Sequence, residues 1–246
     1  MTSHVTFHFN PVPPMNRSDT MLANNRRWVR ERTAEDPDFF RRQASEHRPH
    51  TLWIGCSDAR VPADLISQTE PGELFVHRNI ANQVVPTDTN LLAVLQYAVD
   101  VLGVQDVIVC GHEECGGVKA ALEDAAPPTV SQWLAQLRTV ARLHDDELSA
   151  IADPMRRYVR LVELNVAEQV YNLSRTMVVE QAWARGKTLR LHGWVYGLRE
   201  GLLRDVGVTL DGTPAAERRE EAPSAAGAPE RIAESALRSG GGLRAR

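Results

Sequence analysis

The chain has 246 residues, of which 43% are hydrophobic and 24% charged, and this ordinary globular composition excludes wholesale disorder and a fibrous rod. Its formal net charge of −4 argues against a nucleic-acid partner, because such binding relies on a large positive field. No apolar run reaches the roughly 18 residues that cross a bilayer, and no signal peptide is recognisable at the N-terminus. We therefore predict a cytoplasmic protein without a membrane partner, and the odd number of cysteines, 3 in all, fits a reducing compartment.

The composition changes near both ends of the chain. Residues 211–246 contain no aromatic side chain and few large aliphatic ones, among many Ala, Gly, Pro, Glu and Arg. Such a segment cannot bury enough apolar surface to offset the conformational entropy lost on ordering. We predict a disordered tail over residues 211–246, a flexible N-terminal extension over residues 1–16 and a single folded domain over residues 17–210.

Helical and strand patterns alternate through the predicted domain. In chain order we predict a helix over 18–32 capped by Ser18, strands at 52–54 and 74–76, a helix over 91–102 ended by Gly103, a strand at 107–110, a helix over 129–143, a helix opening at Asp153-Pro154 with a break near 172–186, and strands at 189–192 and 206–210. The run at 107–110 is almost entirely apolar, which is typical of a central parallel strand covered on both faces. The alternation predicts an α/β fold, with a central, mostly parallel β-sheet flanked by helices.

Three metal-ligand side chains follow two of the predicted buried strands. Cys56 comes directly after the first strand, and His112 and Cys115 come after the strand that ends at Cys110. The carboxyl ends of parallel strands meet at one edge of a sheet, so we expect these three side chains to converge there. Two thiolates and one imidazole suit zinc, and three protein ligands leave a fourth position open.

A simpler interpretation exists for each cysteine, because a cysteine after an apolar strand is most often only a buried side chain. The position of both cysteines and the histidine at strand ends favours the metal site. The pair Gly116-Gly117 after Cys115 also lets main chain pack closely there. Cys110 lies inside the apolar run itself, and we predict a purely structural role for it.

Five segments together resemble the beta-class carbonic anhydrases, and they occur in order between about residues 21 and 210. They cover residues 52–62, 73–79, 111–117, 163–166 and 192–197. The resemblance implies that one zinc ion per chain is held by Cys56, His112 and Cys115. It also implies the reversible hydration of carbon dioxide to bicarbonate and a proton, so that residues 17–210 form a catalytic zinc domain.

The resemblance further implies a catalytic pair, Asp58 and Arg60, beside the zinc. A carboxylate at position 58 can accept a hydrogen bond from the zinc-bound nucleophile, and Arg60 can keep it ionised through a bidentate pair. Asp58 is also a candidate zinc ligand that would close the open position when Arg60 releases it. Without Cys56 next to them, the two residues would be interpreted as a surface salt bridge.

Two positions depart from the family pattern. Ala59 replaces the usual serine, and we expect little effect because it is not a ligand. His47 stands nine residues before Cys56, where many members have a glutamine whose amide helps to bind substrate oxygen. His47 can donate a hydrogen bond and carry protons, although a solvated loop histidine is an equally good interpretation.

A second predicted site concerns regulation. One subgroup of the family binds bicarbonate away from the zinc through a tryptophan, an arginine and a tyrosine, and Trp53, Arg78 and Tyr196 match these positions. All three side chains are hydrogen-bond donors suited to a small planar anion. Each also has an ordinary structural interpretation, as strand core, ion pair or packing residue. The resemblance implies inhibition by bicarbonate and by low pH.

The resemblance also implies a homodimer or tetramer, with the N-terminal helix lying across a partner. Three alternatives remain open at this point. A hydrolase of carbon disulfide or carbonyl sulfide could use the same site, a non-catalytic bicarbonate sensor could keep zinc only structurally, and a thiol redox protein could use Cys56 and Cys115. A zinc deaminase is excluded because its paired H-x-E and C-x-x-C motifs are absent.

Overall fold

Five strands form one sheet in the order β2-β1-β3-β4-β5. The structure is a computed structural model that describes residues 16–213. The strands are β1 (Thr51–Cys56), β2 (Leu74–Asn79), β3 (Asp106–His112), β4 (Arg190–Tyr196) and β5 (Leu203–Leu210). Neighbouring strands run parallel except β4 and β5, which pair antiparallel. The predicted α/β fold with a mostly parallel sheet is confirmed.

Ten α-helices lie in the described part of the chain. They are α1 (Arg17–Glu35), α2 (Phe39–Ser45), α3 (Ala63–Ser67), α4 (Thr89–Gln96), α5 (Gly116–Leu122), α6 (Pro128–Trp133), α7 (Ala135–Leu143), α8 (Asp145–Ser149), α9 (Pro154–Ser174) and α10 (Met177–Ala184). A π-helical turn continues α4 over Tyr97–Leu102, and Gly103 ends it with a φ of 72°. Within residues 16–213, no helix has the length and apolar character that a membrane span requires.

The main core lies between one face of the sheet and α9, with α4, α5 and α7 completing it. Every residue of β3 after the first is buried, in agreement with the interpretation of this strand as central. The opposite face of the sheet carries a smaller cluster around Trp53, Ile108 and Cys110. Cys56 and His112 are the last residues of adjacent parallel strands, so the predicted ligands meet at the carboxyl edge of the sheet.

Several predicted helix boundaries are wrong. The cap of α1 is Asn16 rather than Ser18, since Asn16 Oδ1 accepts a hydrogen bond from Asp19 N at 2.9 Å. The predicted helix over 129–143 is two helices, because the chain bends at Leu134, whose φ and ψ are −80° and 7° and whose side chain is fully buried. The break predicted near 172–186 is confined to the two residues between α9 and α10, and Thr176 caps α10.

The helices α2, α3, α5 and α8 were not predicted, because each has nine residues or fewer and too few turns to show a periodic pattern. The predicted extension over 1–16 lies outside the described residues except for Asn16. Of the predicted tail over 211–246, the structure describes only residues 211–213. The domain boundaries therefore stay predictions, although residues 16–211 lie within one compact unit.

Candidate metal centre

Three buried ligand side chains converge at the carboxyl edge of the sheet. Cys56 ends β1, His112 ends β3, and Cys115 immediately precedes α5. One ligand atom from each of them lies within 4.8 Å of the others, and the two Sγ atoms are 3.9 Å apart. The convergence expected from the ends of parallel strands is therefore present in the structure.

The tautomer of His112 leaves one ring nitrogen free for a metal. His112 Nδ1 lies 2.8 Å from the carbonyl oxygen of Glu113, which can only accept, so Nδ1 carries the proton. His112 Nε2 then has a lone pair, and it is buried without a hydrogen-bond partner among the described residues. An unpartnered buried nitrogen is costly unless something binds it. Beside two thiols, this donor set fits zinc, with the fixed Nδ1–H bond orienting the ring.

The two thiols of the cluster ionise unequally. The hydrogen bond from Cys115 lowers the pKa of Cys56, although burial opposes this by raising it. The same pairing with Cys56 raises the pKa of Cys115, and burial adds to this. A cation at the cluster would remove this conflict, because it stabilises both thiolates at once.

Cys110 differs from the two cluster cysteines in its surroundings. It is fully buried beside Trp53 and Ile108, and its Sγ donates to the Gly111 carbonyl at 3.3 Å. Burial raises its pKa far above the ordinary range of a thiol. It lies outside the ligand cluster, in agreement with the structural role predicted for it.

A carboxylate held by a guanidinium borders the cluster. Asp58 Oδ1 accepts from Arg60 N at 2.9 Å and from Arg60 Nε at 3.0 Å, and Asp58 Oδ2 accepts from Arg60 Nη2 at 2.7 Å. These bonds lower the pKa of Asp58 to about 2, although burial opposes them. Asp58 Oδ2 is 3.8 Å from His112 Nε2. The predicted pair is thus formed, whereas the role of Asp58 as a metal ligand stays a prediction that requires another arrangement of this side chain.

Two further residues near the cluster were not singled out from the sequence. Glu114 has a left-handed φ of 55°, its carbonyl accepts from Arg60 Nη2 at 3.1 Å, and its carboxylate pairs with Arg199 at 2.8 Å. Tyr158 on α9 donates through its hydroxyl to the Cys115 carbonyl at 2.7 Å. Glu114 lies within the motif at 111–117, but a tyrosine in a long amphipathic helix gives no sequence signal for such a contact.

The three residues of the predicted bicarbonate pocket lie on one face of the sheet. Arg78 pairs in register with Gly55, two residues after Trp53, and Tyr196 packs on the small cluster that contains Trp53. Gly55 leaves room for the indole, since a Cβ there would lie 2.5 Å from Trp53 Nε1. Arg78 Nε and Nη2 donate to the carbonyls of Cys56 and Asp58 at 2.8 and 2.5 Å. The arginine therefore connects this face with the loop after β1.

His47 is not brought into the metal centre within one chain. It is exposed, and its ring contacts that of Phe75 at a centroid distance of 6.0 Å. Phe75 pairs with Leu52, four residues before Cys56 on β1 and therefore about 13 Å along the strand from it. A role of His47 at the metal centre stays a prediction, and it would need the histidine of another chain.

The site is thus a buried Cys₂His cluster beside an Asp–Arg pair at the edge of an α/β sheet. Comparison with known proteins then identifies the family. The family profile described as carbonic anhydrase matches residues 51–203. A carbonic anhydrase of Emericella nidulans is 44% identical over 194 residues, covering 79% of this chain and 85% of that protein. A carbonic anhydrase of Pseudomonas aeruginosa is 38% identical, covering 66% of this chain and 76% of that protein.

Solved structures agree with these relatives. Tetrameric beta-carbonic anhydrases from Sordaria macrospora give a TM-score of 0.76 at 38% identity, covering 80% of this chain and 100% of that chain. A Coccomyxa beta-carbonic anhydrase in complex with acetazolamide gives 0.75 at 35% identity, covering 78% and 87%. The chain belongs to the beta-class carbonic anhydrase family. The prediction of an enzyme of this family, a lyase, is confirmed.

Proposed function

We propose that this chain catalyses the zinc-dependent, reversible hydration of carbon dioxide to bicarbonate and a proton. Cys56, His112 and Cys115 hold one zinc ion per chain. The observation that carries the proposal is the buried nitrogen of His112, unpartnered between two thiols and 3.8 Å from a carboxylate that a guanidinium fixes. A merely structural metal site would not need that carboxylate beside it.

The metal centre and its neighbours have separate tasks. When bound, zinc with three protein ligands supplies Lewis acidity and a nucleophile at near-neutral pH. Tyr158 holds the Cys115 carbonyl and the Glu113 carbonyl holds the ring of His112, so that both ligands keep their orientation. Because two thiolates offset the charge of the metal, the neighbouring residues must supply part of the electrostatic control.

Asp58 acts as a fixed hydrogen-bond acceptor rather than as a general base. Its pKa of about 2 makes it a poor acceptor of a full proton near neutral pH. Its Oδ2 faces the cluster while Arg60 binds both oxygens, so it can accept a hydrogen bond and turn the lone pair of a nucleophile toward carbon dioxide. The exposed guanidinium of Arg60 also favours an anionic product at this edge.

A closed arrangement of the same residues accounts for the predicted inhibition at low pH. If Arg60 releases Asp58, the carboxylate becomes free to serve as the fourth metal ligand. At high pH hydroxide would compete with the carboxylate for the open position of a bound zinc ion, so high pH would favour the Asp58–Arg60 pair. At lower pH only neutral water competes with the carboxylate. Activity then rises with pH without any change in the charge of Asp58.

The contacts of Arg78 support the proposal that bicarbonate inhibits from the Trp53–Arg78–Tyr196 pocket. The Asp58 carbonyl accepts from Arg78 Nη2 at 2.5 Å and from Val61 N at 3.1 Å. A bicarbonate ion that binds the Arg78 fork competes with these carbonyl bonds and loosens the loop that places Asp58. Bicarbonate would therefore favour the closed arrangement, to the extent that it binds that arrangement more tightly.

The chain also forms a homodimer or tetramer in this proposal. No residue of α1 is buried, and its apolar side chains Met21, Leu22 and Trp28 are 66%, 57% and 38% exposed. A helix with such exposed apolar residues is suited to a partner surface, and the Sordaria macrospora relatives are described as tetrameric. Light scattering of the parent chain and of the double variant Met21→Glu/Leu22→Glu tests this, with dissociation expected for the variant. The cytoplasmic location stays a prediction.

The decisive experiment combines metal analysis with stopped-flow kinetics on the same preparation. One zinc per chain together with rapid hydration of carbon dioxide supports the proposal. Stoichiometric zinc without hydration would point to the non-catalytic bicarbonate sensor. Faster hydrolysis of carbonyl sulfide or carbon disulfide than hydration of carbon dioxide would point to the hydrolase, and a metal-free protein would contradict the zinc assignment.

A further inference from the structure

A left-handed turn lies between the three segments that carry the ligands. Ala81 and Asn82 both have positive φ, 61° and 46°, which non-glycine residues rarely adopt. Cys56 pairs in register with Asn79, just before this turn. A Cβ on Gly117, two residues after Cys115, would lie 2.9 Å from Ile80 Cγ2 and 3.1 Å from Ala81 Cβ. The backbone of the turn therefore packs against the start of α5 and the end of β1.

The turn also approaches the segment that carries His112. A Cβ on Gly111 would lie 3.6 Å from Asn82 Oδ1. Two adjacent residues in an unfavourable conformation persist only where the surroundings hold them. What holds this turn therefore influences the placement of all three ligand segments.

A fully buried cluster of amide side chains holds the turn. The Ala81 carbonyl accepts from Asn165 Nδ2 at 3.1 Å and from Gln83 Nε2 at 2.9 Å. Asn165 Oδ1 accepts from Gln83 Nε2 at 2.8 Å and from Gln169 Nε2 at 3.0 Å. Gln169 Oε1 in turn accepts from Val84 N at 2.8 Å. Asn165, Gln83 and Gln169 are at most 1% exposed, so solvent cannot replace a lost member.

Asn165 has the central place in this cluster. Its donor binds the turn, and its acceptor binds both glutamine side chains, so its loss disconnects α9 from Ala81. None of the hydrogen bonds of Asn165 reaches a ligand side chain, and the catalytic contacts described above do not use it. Residues that lie behind the ligands and hold them in place tune the affinity of metal sites, typically by about 10–100-fold.

We infer that Asn165 is a positioning residue of the metal centre, which acts through the Ala81 main chain to hold the turn against the segments that carry Cys56, His112 and Cys115. The inference rests on the proposed zinc function. It predicts that the amide of Asn165 sets zinc affinity and the electronic environment of the thiolates, beyond any contribution to the stability of the fold.

The test is Asn165→Leu, which keeps the volume but removes both hydrogen-bonding functions, in the full chain. Zinc affinity is measured by chelator competition, and the thiolate-to-metal charge-transfer band is recorded after cobalt substitution. We expect zinc affinity about tenfold weaker and a shifted cobalt band. The control Ser174→Ala removes a buried hydrogen bond on the same helix, to the Tyr171 carbonyl, and should leave both readouts unchanged.

Each outcome decides the inference. Parental affinity and an unshifted band in folded Asn165→Leu would overturn it and leave the zinc proposal intact. If the parent chain itself binds no zinc, the proposed function fails and the inference fails with it. Should Asn165→Leu not fold, Gln83→Met removes the other donor to Ala81 O, and the same two readouts decide.

Discussion

Asp58 Oδ2 lies 3.8 Å from His112 Nε2, within reach of the position that the histidine lone pair marks. Arg60 binds both oxygens of Asp58 through bonds of 2.7 to 3.0 Å and so restrains the carboxylate from moving onto that position. In the proposed function, the charged side chain of Arg60 decides whether Asp58 serves as a hydrogen-bond acceptor or as a ligand. This relationship makes Arg60 the sharpest site at which to separate metal binding from chemistry.

Replacing Arg60 with alanine should separate zinc content from hydration activity. Without the guanidinium, Asp58 can turn toward the metal and occupy the open position. We expect Arg60→Ala to retain zinc while hydration of carbon dioxide falls by at least about 100-fold, the scale of a lost electrostatic contact. Metal analysis and stopped-flow hydration on the same sample measure both quantities.

A matched control is available elsewhere on the sheet. Arg190 makes the same bidentate pair with Asp106, with both distances 2.9 Å, at the opposite end of β3 from His112. Arg190→Ala should leave zinc content and hydration close to parental values. Hydration by Arg60→Ala at the parental rate would contradict the role given to the Asp58–Arg60 pair.

The three cysteines should differ in what their loss changes. Cys115→Ala leaves two protein ligands, which rarely hold zinc, so zinc and hydration activity should both be lost. Cys110→Ser should keep both, because its side chain lies outside the cluster. The serine hydroxyl can donate to the Gly111 carbonyl as the thiol does, so we expect a loss of only about 1 kcal/mol in unfolding free energy. Equal loss of zinc in the two variants would mean that the ligands are misassigned.

The three candidate metal ligands could be predicted from the sequence because they lie at or just after the ends of strands. Apolar runs ending at Cys56 and before His112 were recognisable as parallel strands, and the geometry of such sheets brings their ends together. The Asp58–Arg60 pair could be anticipated because the two residues are close in sequence. The resemblance to a family then supplied roles that spacing alone does not give.

The contacts that were not predicted join residues distant in sequence. Tyr158 reaches Cys115 across 43 positions, and Asn165 reaches Ala81 across 84. No local pattern marks such a partner, because α9 shows only an amphipathic repeat that any core helix would show. The split of the helix predicted over 129–143 was also not predictable from a local pattern. The buried Leu134 keeps the apolar spacing of a continuous helix, although the backbone bends there.

The two adjacent glycines after Cys115 should respond differently to an added methyl group. A Cβ on Gly117 would crowd Ile80 and Ala81, at 2.9 and 3.1 Å, whereas a Cβ on Gly116 would meet nothing within 4 Å. We expect Gly117→Ala to lower the unfolding free energy by about 1–3 kcal/mol, as overpacking does. Gly116→Ala should stay within about 1 kcal/mol of the parent or be slightly more stable. Urea unfolding of both variants measures this, and equal effects would contradict the close packing.

The pH dependence of activity near neutrality should not come from protonation of Asp58. The pKa of Asp58 is lowered to about 2 by Arg60, below the ordinary value, so the pair stabilises the fold above about pH 4 and is lost as pH falls toward 2. Near neutral pH the carboxylate is always charged. We therefore expect hydration to rise with pH across neutrality while zinc content and the unfolding free energy contributed by this pair stay constant. Loss of zinc over the same pH range would contradict this explanation.

Bicarbonate inhibition should depend on the hydrogen-bond donors around Arg78. The double variant Trp53→Phe/Tyr196→Phe keeps the aromatic packing of the small cluster but removes an indole N–H and a phenol O–H. Because a ligand shifts an equilibrium only through its differential affinity for the two states, weaker binding in the pocket should relieve inhibition at the lower end of the active pH range. The matched control is Trp183→Phe/Tyr171→Phe, which removes the same two groups from α10 and from an exposed position on α9. Hydration is assayed across pH with and without added bicarbonate. If bicarbonate inhibits the pocket variant as strongly as the control, this pocket is eliminated as the regulatory site. The zinc assignment would be unaffected.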